Sequence, residues 1–324
     1  MSSTSPAPPA ASARLVLVLV VTFATGGLIA VQSRINGELG QRLGDGFLAA
    51  FISFGSGFVI LCLVGIVWRP GRRGVARVVA AIRERRIPWW LVLGGAGGAT
   101  FVLGQTLTVG ILGVALFTVG VVCGQTVSSL LVDHRGLALM PATPATPRRI
   151  FGAALAVLAV GVAVSDRVRP DAPYLALLIP IVAGLLVGWQ QAANGQVRSI
   201  AGSAYAATFG NFLVGTLVLG IALLVHLAVG GGRVELPTVP WLYLGGALGC
   251  VFIAAQAVIV TRTGVLLMGL ALLAGQLCAA VLFDLIVPVS ADGIHLVTVI
   301  GTALVLAAVV VAALPRRARV AAPD

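Results

Sequence analysis

Lysine is absent from the sequence, so the 21 basic residues other than histidine are all arginines. This absence excludes a Walker phosphate loop and any mechanism that forms a Schiff base on lysine. Charged residues of both signs are also scarce, at 10% of the chain, whereas a soluble domain carries about 25%. Together with a mean hydropathy of +1.08, this scarcity excludes an ordinary soluble domain and indicates a membrane protein.

Residues that usually build active sites or metal sites are few and scattered. The four cysteines lie singly in apolar runs without a C-x-x-C spacing, so we interpret them as packing residues. The three histidines, His134, His226 and His295, do not cluster, and no H-E-x-x-H motif or nucleophile elbow is present. We therefore expect neither catalysis nor a site for a metal or cofactor.

Apolar runs divide the 324 residues into ten candidate membrane-spanning helices. The connections after the third and eighth helices are short, at Gly110–Leu112 and around Arg262-Thr263, so each should join an antiparallel pair. The ten helices are predicted near residues 13–33, 46–68, 88–109, 113–132, 149–165, 173–192, 204–228, 240–261, 264–287 and 293–314.

Arginines in the predicted loops are distributed unequally between the two sides of the membrane. Sixteen lie on the side of the N-terminus and five on the opposite side. By the positive-inside rule this asymmetry predicts that both termini are cytoplasmic. The same rule accounts for the net charge of +11, which in a soluble protein would suggest nucleic acid. We expect the lipid bilayer, and no nucleic acid, as a partner.

Two segments of the sequence recur about 150 residues later. Gln32–Leu61 aligns without a gap with Gln190–Leu219, and Trp90–Asp133 aligns with Trp241–Asp284. Because polar groups in lipid are costly, chance similarity between apolar helices would not keep polar residues in register. The polar pairs kept in register are Gln32 with Gln190, Asn36 with Asn194, Gln105 with Gln256, Gln125 with Gln276, and Asp133 with Asp284.

Each copy contains five predicted helices, and because five is odd the second copy must cross the membrane in the opposite sense. The sequence therefore predicts an all-α membrane protein of ten transmembrane helices, built as two inverted-topology five-helix repeats, an arrangement that recurs in secondary transporters. We place the first repeat at residues 13–166 and the second at 173–314. Residues 1–12 are predicted to be a disordered tail, and residues 315–324 a basic cytoplasmic tail.

Both copies carry a Gln-x-x-x-Asn-Gly element, at Gln32 and Gln190, followed by small residues and a Phe-x-x-Gly helix. Both also carry a Gly-Gln-x7-Asp ending, which starts at Gly124 and Gly275. These motifs resemble the YdcZ family of the drug/metabolite transporter (DMT) superfamily over about residues 14–314. The resemblance implies a fused ten-helix, DMT-like exporter of the bacterial cytoplasmic (inner) membrane, and it implies no particular substrate.

The paired amides are the candidate substrate-binding residues. A side-chain amide without a partner costs about 1–3 kcal/mol in an apolar setting, so we expect these groups to face the bundle interior. They either line a shared cavity or bond to neighbouring backbone as contacts between helices. An amide-lined cavity suits an uncharged, zwitterionic or weakly cationic metabolite. The candidates are Gln32, Asn36, Gln105, Gln125, Gln190, Asn194, Gln256 and Gln276.

Asp133 and Asp284 are predicted at helix ends near opposite faces of the membrane. Each either caps a helix or pairs with an arginine, or serves as a gate or proton site. For Asp133 the adjacent His134 and Arg135 offer a local ion pair. The Asn-Gly pairs at Asn36 and Asn194 also allow two interpretations. They are αL caps that end the first helix of each repeat, or they are matched gates.

These patterns favour a secondary transporter that exports a small metabolite or drug by alternating access, with a proton as the default coupling ion. An uncoupled facilitative channel or lipid scramblase, and a non-transporting membrane scaffold, are the alternatives. Whether the chain acts as a homodimer is left open by the sequence.

If Gln125 and Gln276 line the transport path, Gln125→Leu and Gln276→Leu should each abolish substrate flux while expression and folding are unchanged. Flux measured in proteoliposomes, with gel filtration as the folding control, tests this. Wild-type flux in both variants would remove the two residues from the mechanism.

Overall fold

The computed structural model describes residues 9–137, 141–163, 165, 174–230, 236–286 and 296–313. Within these ranges the secondary structure is helical throughout, without strands. Short 3-10 turns at Trp89–Leu93, Tyr174–Leu177 and Pro240–Tyr243 precede three of the helices. The α-helices are α1 (Pro9–Leu43), α2 (Gly46–Val67), α3 (Arg69–Arg83), α4 (Gly94–Arg135), α5 (Pro147–Ala163), α6 (Leu178–Ala201), α7 (Ala204–Ala228), α8 (Gly245–Ile286) and α9 (Leu296–Ala313).

The first helix of each repeat is longer than predicted. α1 begins at Pro9, inside the predicted tail, and both α1 and α6 continue about two turns past their Asn-Gly pairs. The prediction that these pairs cap the helices is therefore wrong. The left-handed residues that follow the helices are Gly44 and Gly202, with φ of 62° and 60°. They occupy the same place in both repeats, and glycine adopts this conformation without a steric penalty.

α3 is a helix that the sequence prediction missed, because its arginines were assigned to a loop. Its apolar residues Val75, Val78 and Ile82 recur at helical spacing, and Val78 is buried. Arginines occupy the rest of its surface, so the helix is amphipathic. Its residues contact the start of α7: a Cβ added to Gly74 would touch Ser203 and Ala206. We call this end of the bundle, where α2 meets α3, the arginine-rich end.

α4 and α8 are helical hairpins, as the short predicted connections require. In α8 the chain reverses at Gly264, whose φ of 75° and ψ of 173° break the helix. In α4 the rings of Phe101 and Phe117 lie 5.6 Å apart, whereas a straight helix would separate them by about 24 Å. The chain therefore reverses between them, in the region of the predicted turn. Each hairpin contributes two arms, and the described residues form ten transmembrane segments in addition to α3.

Five stretches are long and apolar enough to cross a membrane by themselves within the ranges described. They are Ala13–Leu43, Gly46–Val67, Leu175–Ala201, Ala204–Ala228 and Pro240–Ala279. Large apolar side chains such as Val67, Leu175 and Ile221 are exposed on the outside of the bundle. This surface fits acyl chains and not water, which agrees with an all-α membrane protein.

The two repeats run in opposite senses. α1 ends where α2 begins, at the end of the bundle opposite the arginine-rich end; we call it the far end. Gly202, which follows α6, lies against the guanidinium of Arg77 on α3, with 3.1 Å between its added Cβ and Nη1. α7 runs back to the far end, where the Nε2 atom of His226 lies 3.4 Å from Oδ2 of Asp45. The first and second helices of one repeat are therefore antiparallel to those of the other.

Each repeat inserts its first helix against the hairpin of the other. A Cβ on Gly26 of α1 would overlap the carbonyl oxygen of Leu272, and a Cβ on Gly184 of α6 would overlap that of Val121. These two contacts are equivalent under the repeat alignment. The predicted repeat boundary at residues 166–173, and the predicted tail at 315–324, lie outside the described residues, and α1 already covers residues 9–12 of the other tail.

Gly26→Ala should lower the free energy of unfolding by about 1–3 kcal/mol, because the overlapping atom belongs to backbone that cannot turn aside. Gly55→Ala is the matched control, since nothing lies within 4 Å of its added Cβ. In a helix that change should be neutral or stabilising by up to about 1 kcal/mol. Unfolding by sodium dodecyl sulfate in mixed micelles measures both, and equal stability of the two variants would contradict the close approach.

Candidate functional site

Three buried amides form a cluster where α6 meets α7 and the first arm of α4. Nε2 of Gln190 and Nδ2 of Asn194 both donate to Oδ1 of Asn211, each at 2.9 Å. The facing residues of α4 are glycines, and a Cβ on Gly94 or Gly98 would touch Asn194 or Gln190. All three amide residues are buried. The predicted pair Gln190 and Asn194 is thus brought together as a polar joint between helices.

The equivalent residues of the first repeat form a simpler joint near the far end. Nε2 of Gln32 donates to the carbonyl oxygen of Gly245 at 2.8 Å. Asn36 lies against the same glycine, and its Oδ1 atom is buried with no hydrogen-bond partner among the described residues. Ser53 stands where the second repeat has Asn211. A serine hydroxyl is too short to bridge both amides, so the two joints differ in chemistry.

A third polar group lies between both repeats. Nε2 of Gln125, on the second arm of α4, lies 3.4 Å from Oε1 of Gln191 on α6. Gly269 of α8 faces the same amide at 3.4 Å from its added Cβ and lies 4.0 Å from Oγ of Ser129. A hydrogen bond of 3.4 Å is weak, so this contact can open at little cost.

The remaining predicted amides do not meet in one cavity. Gln256 is buried on the first arm of α8, and Gln276 is half-buried on the second arm, beside Gly26. The side chains of Gln105 and Asp284 lie outside the part of the structure that is described, as does His295. The predicted set is therefore spread over the two ends and the middle of the bundle.

Asp133 anchors the turn of the α8 hairpin. Its Oδ1 and Oδ2 atoms accept hydrogen bonds from the backbone N–H groups of Val265 (2.7 Å) and Leu266 (3.0 Å), directly after Gly264. It also forms an ion pair with Arg149 of α5. His134 and Arg135, the partners suggested by sequence, are exposed instead. Asp133 is 4% exposed, and its contacts are those of a cap that ties α4, α5 and α8 together.

A cavity of about 550 Å³ lies at the arginine-rich end, between α2 and α3 of the first repeat and α6, α7 and α8 of the second. None of the residues predicted from sequence lines it. Its walls are Leu61, Trp68, Pro70, Arg77, Arg198, Gly202, Ser203, Ala204, Tyr205, Thr208, Cys250, Ala254 and Val258. The hydroxyl of Tyr205 donates to the carbonyl oxygen of Leu61 at 2.7 Å, and its ring meets that of Trp68 edge-on at 5.5 Å.

The far end is closed at the equivalent place. The repeat alignment pairs Leu61, Thr208 and Cys250 of the cavity with Leu219, Ala50 and Ala99, which together form a buried hydrophobic cluster. Continued without a gap, the alignment also pairs Trp68 and Tyr205 with His226 and Phe47. Those two rings stack at 4.6 Å. Among the described residues, these equivalent positions are therefore open at the arginine-rich end and packed together at the far end.

Asp45 completes the closure of the far end. Its Oδ1 atom caps α2 by accepting from the N–H groups of Phe47 (2.9 Å) and Leu48 (3.1 Å). Its Oδ2 atom is directed towards His226. The sequence prediction treated Asp45 as a loop residue, yet it is 6% exposed. Because Ser203 is its repeat mate, the two ends carry different groups at the same structural position.

Two residues missed by the sequence prediction left a usable signal. Asn211 and Ser53 are both polar and in register, but the comparison of the two copies gave weight to identical residues. Asp45 with Ser203 is a second such pair. Pairs that are polar in both copies, although different, would have identified both positions.

No group of three or more His, Cys, Asp or Glu side chains able to hold a metal ion occurs in the described part of the chain.

A protein-family model described as "Putative inner membrane exporter, YdcZ" matches residues 17–162 and 175–311, one match for each repeat. A solved crystal structure is similar to this chain, with a TM-score of 0.61 at 17% sequence identity, and the match covers 93% of this chain and 97% of that one. At this identity the likeness concerns the fold alone. No curated protein matches the chain.

Asp133→Ala should lower the free energy of unfolding by about 3–5 kcal/mol, because it leaves Arg149 unpaired and two backbone donors without acceptors. Glu84→Ala is the control, since its ion pair with Arg86 is 59–60% exposed and should contribute about 1 kcal/mol or less. Unfolding by sodium dodecyl sulfate compares them. Equal losses would show that Asp133 does not hold the hairpin turn.

Proposed function

The chain belongs to the YdcZ family of inner membrane exporters, and from this premise we propose that it is a secondary transporter that moves a small metabolite or drug outward by alternating access. Membership of an exporter family makes it a multi-pass protein of the inner membrane and gives transport as its class of activity. The mechanism is argued from the contacts of its two repeats.

One observation carries the proposal: residues that are equivalent in the two repeats line an open cavity at one end and a packed cluster at the other. A duplicated bundle with inverted repeats has two related conformations, in which the repeats exchange their local packing. Opening the cluster of Ala50, Ala99 and Leu219 while the cavity closes would give the second conformation. A solute in the cavity would then face the other side of the membrane.

The contacts between the repeats favour such an exchange. Phe54 and Phe212, equivalent residues of α2 and α7, meet at 5.3 Å across the interface of the repeats. Phe54 lies against Gly215, and Phe212 lies against Gly57, the residue equivalent to Gly215 in the first repeat. Glycine opposite an aromatic ring offers a smooth surface without interlocking side chains, so the two helices can slide.

We assign the polar groups to different tasks. The weak contact of Gln125 with Gln191 lies where α4, α6 and α8 meet, which makes it the best placed of the predicted amides to exchange its partner for a substrate. The joint of Gln190, Asn194 and Asn211 would hold helices together through the cycle. Gln32, Asn36, Gln256 and Gln276 remain candidates for substrate binding.

The distribution of arginines favours one side of the membrane, the cytoplasmic side, for the opening of the cavity. With both termini in the cytoplasm, the arginine-rich end faces the cytoplasm and the far end faces outward. The cavity is then the loading side of an exporter, and the stacked rings of Phe47 and His226 are its outer gate.

Access to the two equivalent positions tests the proposal without knowledge of the substrate. One variant keeps only the native Cys250, with Cys62, Cys123 and Cys278 changed to alanine. A second variant also carries Cys250→Ala and Ala99→Cys, so that its thiol lies at the repeat-equivalent position. A membrane-impermeant maleimide should label the first from the cytoplasmic side. It should label the second from the outer side, and only in molecules that have left the present conformation.

Cross-linking of Phe47→Cys to His226→Cys in the second variant provides the decisive comparison. It should lower the labelling rate at residue 99 about tenfold or more, because it removes the outward-open population, and reduction should restore the rate. As a control, Gly152→Cys with Ala312→Cys joins α5 to α9, two helices that contribute no residue to the cavity wall or to the cluster of Ala50, Ala99 and Leu219, and should have no effect. Labelling of Cys250 in the first variant, together with labelling of residue 99 in the second that ignores the Phe47–His226 cross-link, would contradict alternating access and indicate a channel.

A further inference from the structure

The cavity at the arginine-rich end carries positive charge without compensating acid. Arg77 of α3 and Arg198 of α6 line it, and its other walls contain no carboxylate. Neither guanidinium pairs with an acidic side chain within the described residues. The nearby Arg72 differs, since its guanidinium donates to the carbonyl oxygen of Gly65 at 2.7 Å, at the end of α2.

The start of α7, which borders the cavity, is left without a side-chain cap. Ser203 occupies the cap position, yet its hydroxyl makes no bond to the first turn of the helix. Its Oγ atom is buried and has no hydrogen-bond partner among the described residues. The first N–H groups of a helix have no acceptors within the helix and attract negative charge. Two arginines and an unused hydroxyl stand beside them.

The other repeat shows what this position accepts. At the far end the equivalent residue is Asp45, whose carboxylate binds the first N–H groups of α2 and lies near His226. There the protein supplies its own anion to the helix start. At the arginine-rich end serine replaces that aspartate, and Nη1 of Arg77 lies 3.1 Å from a Cβ added to the adjacent Gly202. Arg198 lines the same cavity.

The rest of the cavity is apolar and large. Leu61, Trp68, Tyr205, Ala254 and Val258 form its walls, and about 550 Å³ is within the range of pockets that hold drug-sized molecules. An inorganic anion would leave most of this space unfilled. The cavity therefore suits a molecule with one anionic group and an apolar body.

We infer that the cavity binds an amphipathic organic anion, whose carboxylate, phosphate or sulfonate group takes the place of the missing Asp45-type carboxylate at the start of α7. Arg77 and Arg198 contact the anionic group, and Trp68 and Tyr205 contact the apolar body. As a statement of what is exported, the inference rests on the proposed function. As a statement of binding, it stands by itself. This ligand class differs from the uncharged, zwitterionic or weakly cationic metabolite suggested by the amides alone.

Three probes with the same ring system separate charge from apolar contact: naphthalene-2-sulfonate, 2-naphthol and 2-naphthylmethylammonium. Isothermal titration of the full chain in phosphatidylcholine nanodiscs gives their dissociation constants. We expect the sulfonate to bind about tenfold or more tightly than the neutral and cationic probes, because charge-assisted hydrogen bonds favour the anion. Equal binding of all three would overturn the inference.

Variants locate the binding site. Arg77→Gln and Arg198→Gln should each weaken sulfonate binding about tenfold. Arg73→Gln, on the same helix as Arg77 but not in the cavity wall, should leave it unchanged. Ser203→Asp installs the carboxylate of the other repeat and should abolish sulfonate binding while gel filtration stays normal, since aspartate is a good N-cap. Wild-type binding by Ser203→Asp and by both cavity-arginine variants would overturn the inference.

A second lipid composition distinguishes the two sources of such an anion. In nanodiscs with about one third phosphatidylglycerol, a site that normally holds a lipid headgroup should bind the sulfonate at least about tenfold more weakly, through competition. A site for soluble anions should bind it as before. Both results support an anion site. Probe binding with failed alternation in the cysteine experiment would reject the transport cycle alone, whereas successful alternation with equal probe binding would reject the anion alone.

Discussion

Glycine determines how closely the two repeats approach, and the rest of the structure depends on that approach. α1 and α6 each lie against the hairpin of the other repeat, with Gly26 and Gly184 next to carbonyl oxygens of the opposing helix. Helices in lipid gain nothing from hiding apolar surface from water, so contact at short range has to supply the attraction. The exchange of first helices makes each repeat incomplete without the other. It also places equivalent residues, such as Phe54 and Phe212, opposite each other at the interface of the repeats.

The duplication, the inversion and both hairpins could be predicted from sequence, because polar pairs kept in register and short connections report directly on topology. Helix ends were harder: Asn36-Gly37 has the composition of a cap, but the helix runs on to Leu43 and the glycine that follows it. α3 was hidden by its arginines, although Val75, Val78 and Ile82 keep a helical period. The cavity could not be predicted, because the residues equivalent to three of those that line it are buried at the far end. Exposure to a cavity is a property of the conformation and not of the residue.

The two buried acids among the described residues, Asp45 and Asp133, each bind the start of a helix. Asp45 caps α2, and Asp133 holds the second arm of α8 through two backbone donors and Arg149. A carboxylate inside an apolar bundle is strongly destabilising unless donors surround it. The exposed N–H groups of a helix start provide these donors, which explains why no acid occurs near the middle of a predicted span. Asp45, which looks like a loop residue in the sequence, is therefore a buried helix cap.

The difference between Asp45 and its equivalent Ser203 has a consequence for the chemistry of the two ends of the bundle. Two copies of one bundle in opposite orientations produce two ends with the same backbone form. At the far end the carboxylate of Asp45 lies beside the imidazole of His226. At the arginine-rich end the equivalent position has the hydroxyl of Ser203, and two guanidinium groups line the cavity. The two ends of the bundle can therefore bind solutes of different charge, although their backbones have the same form.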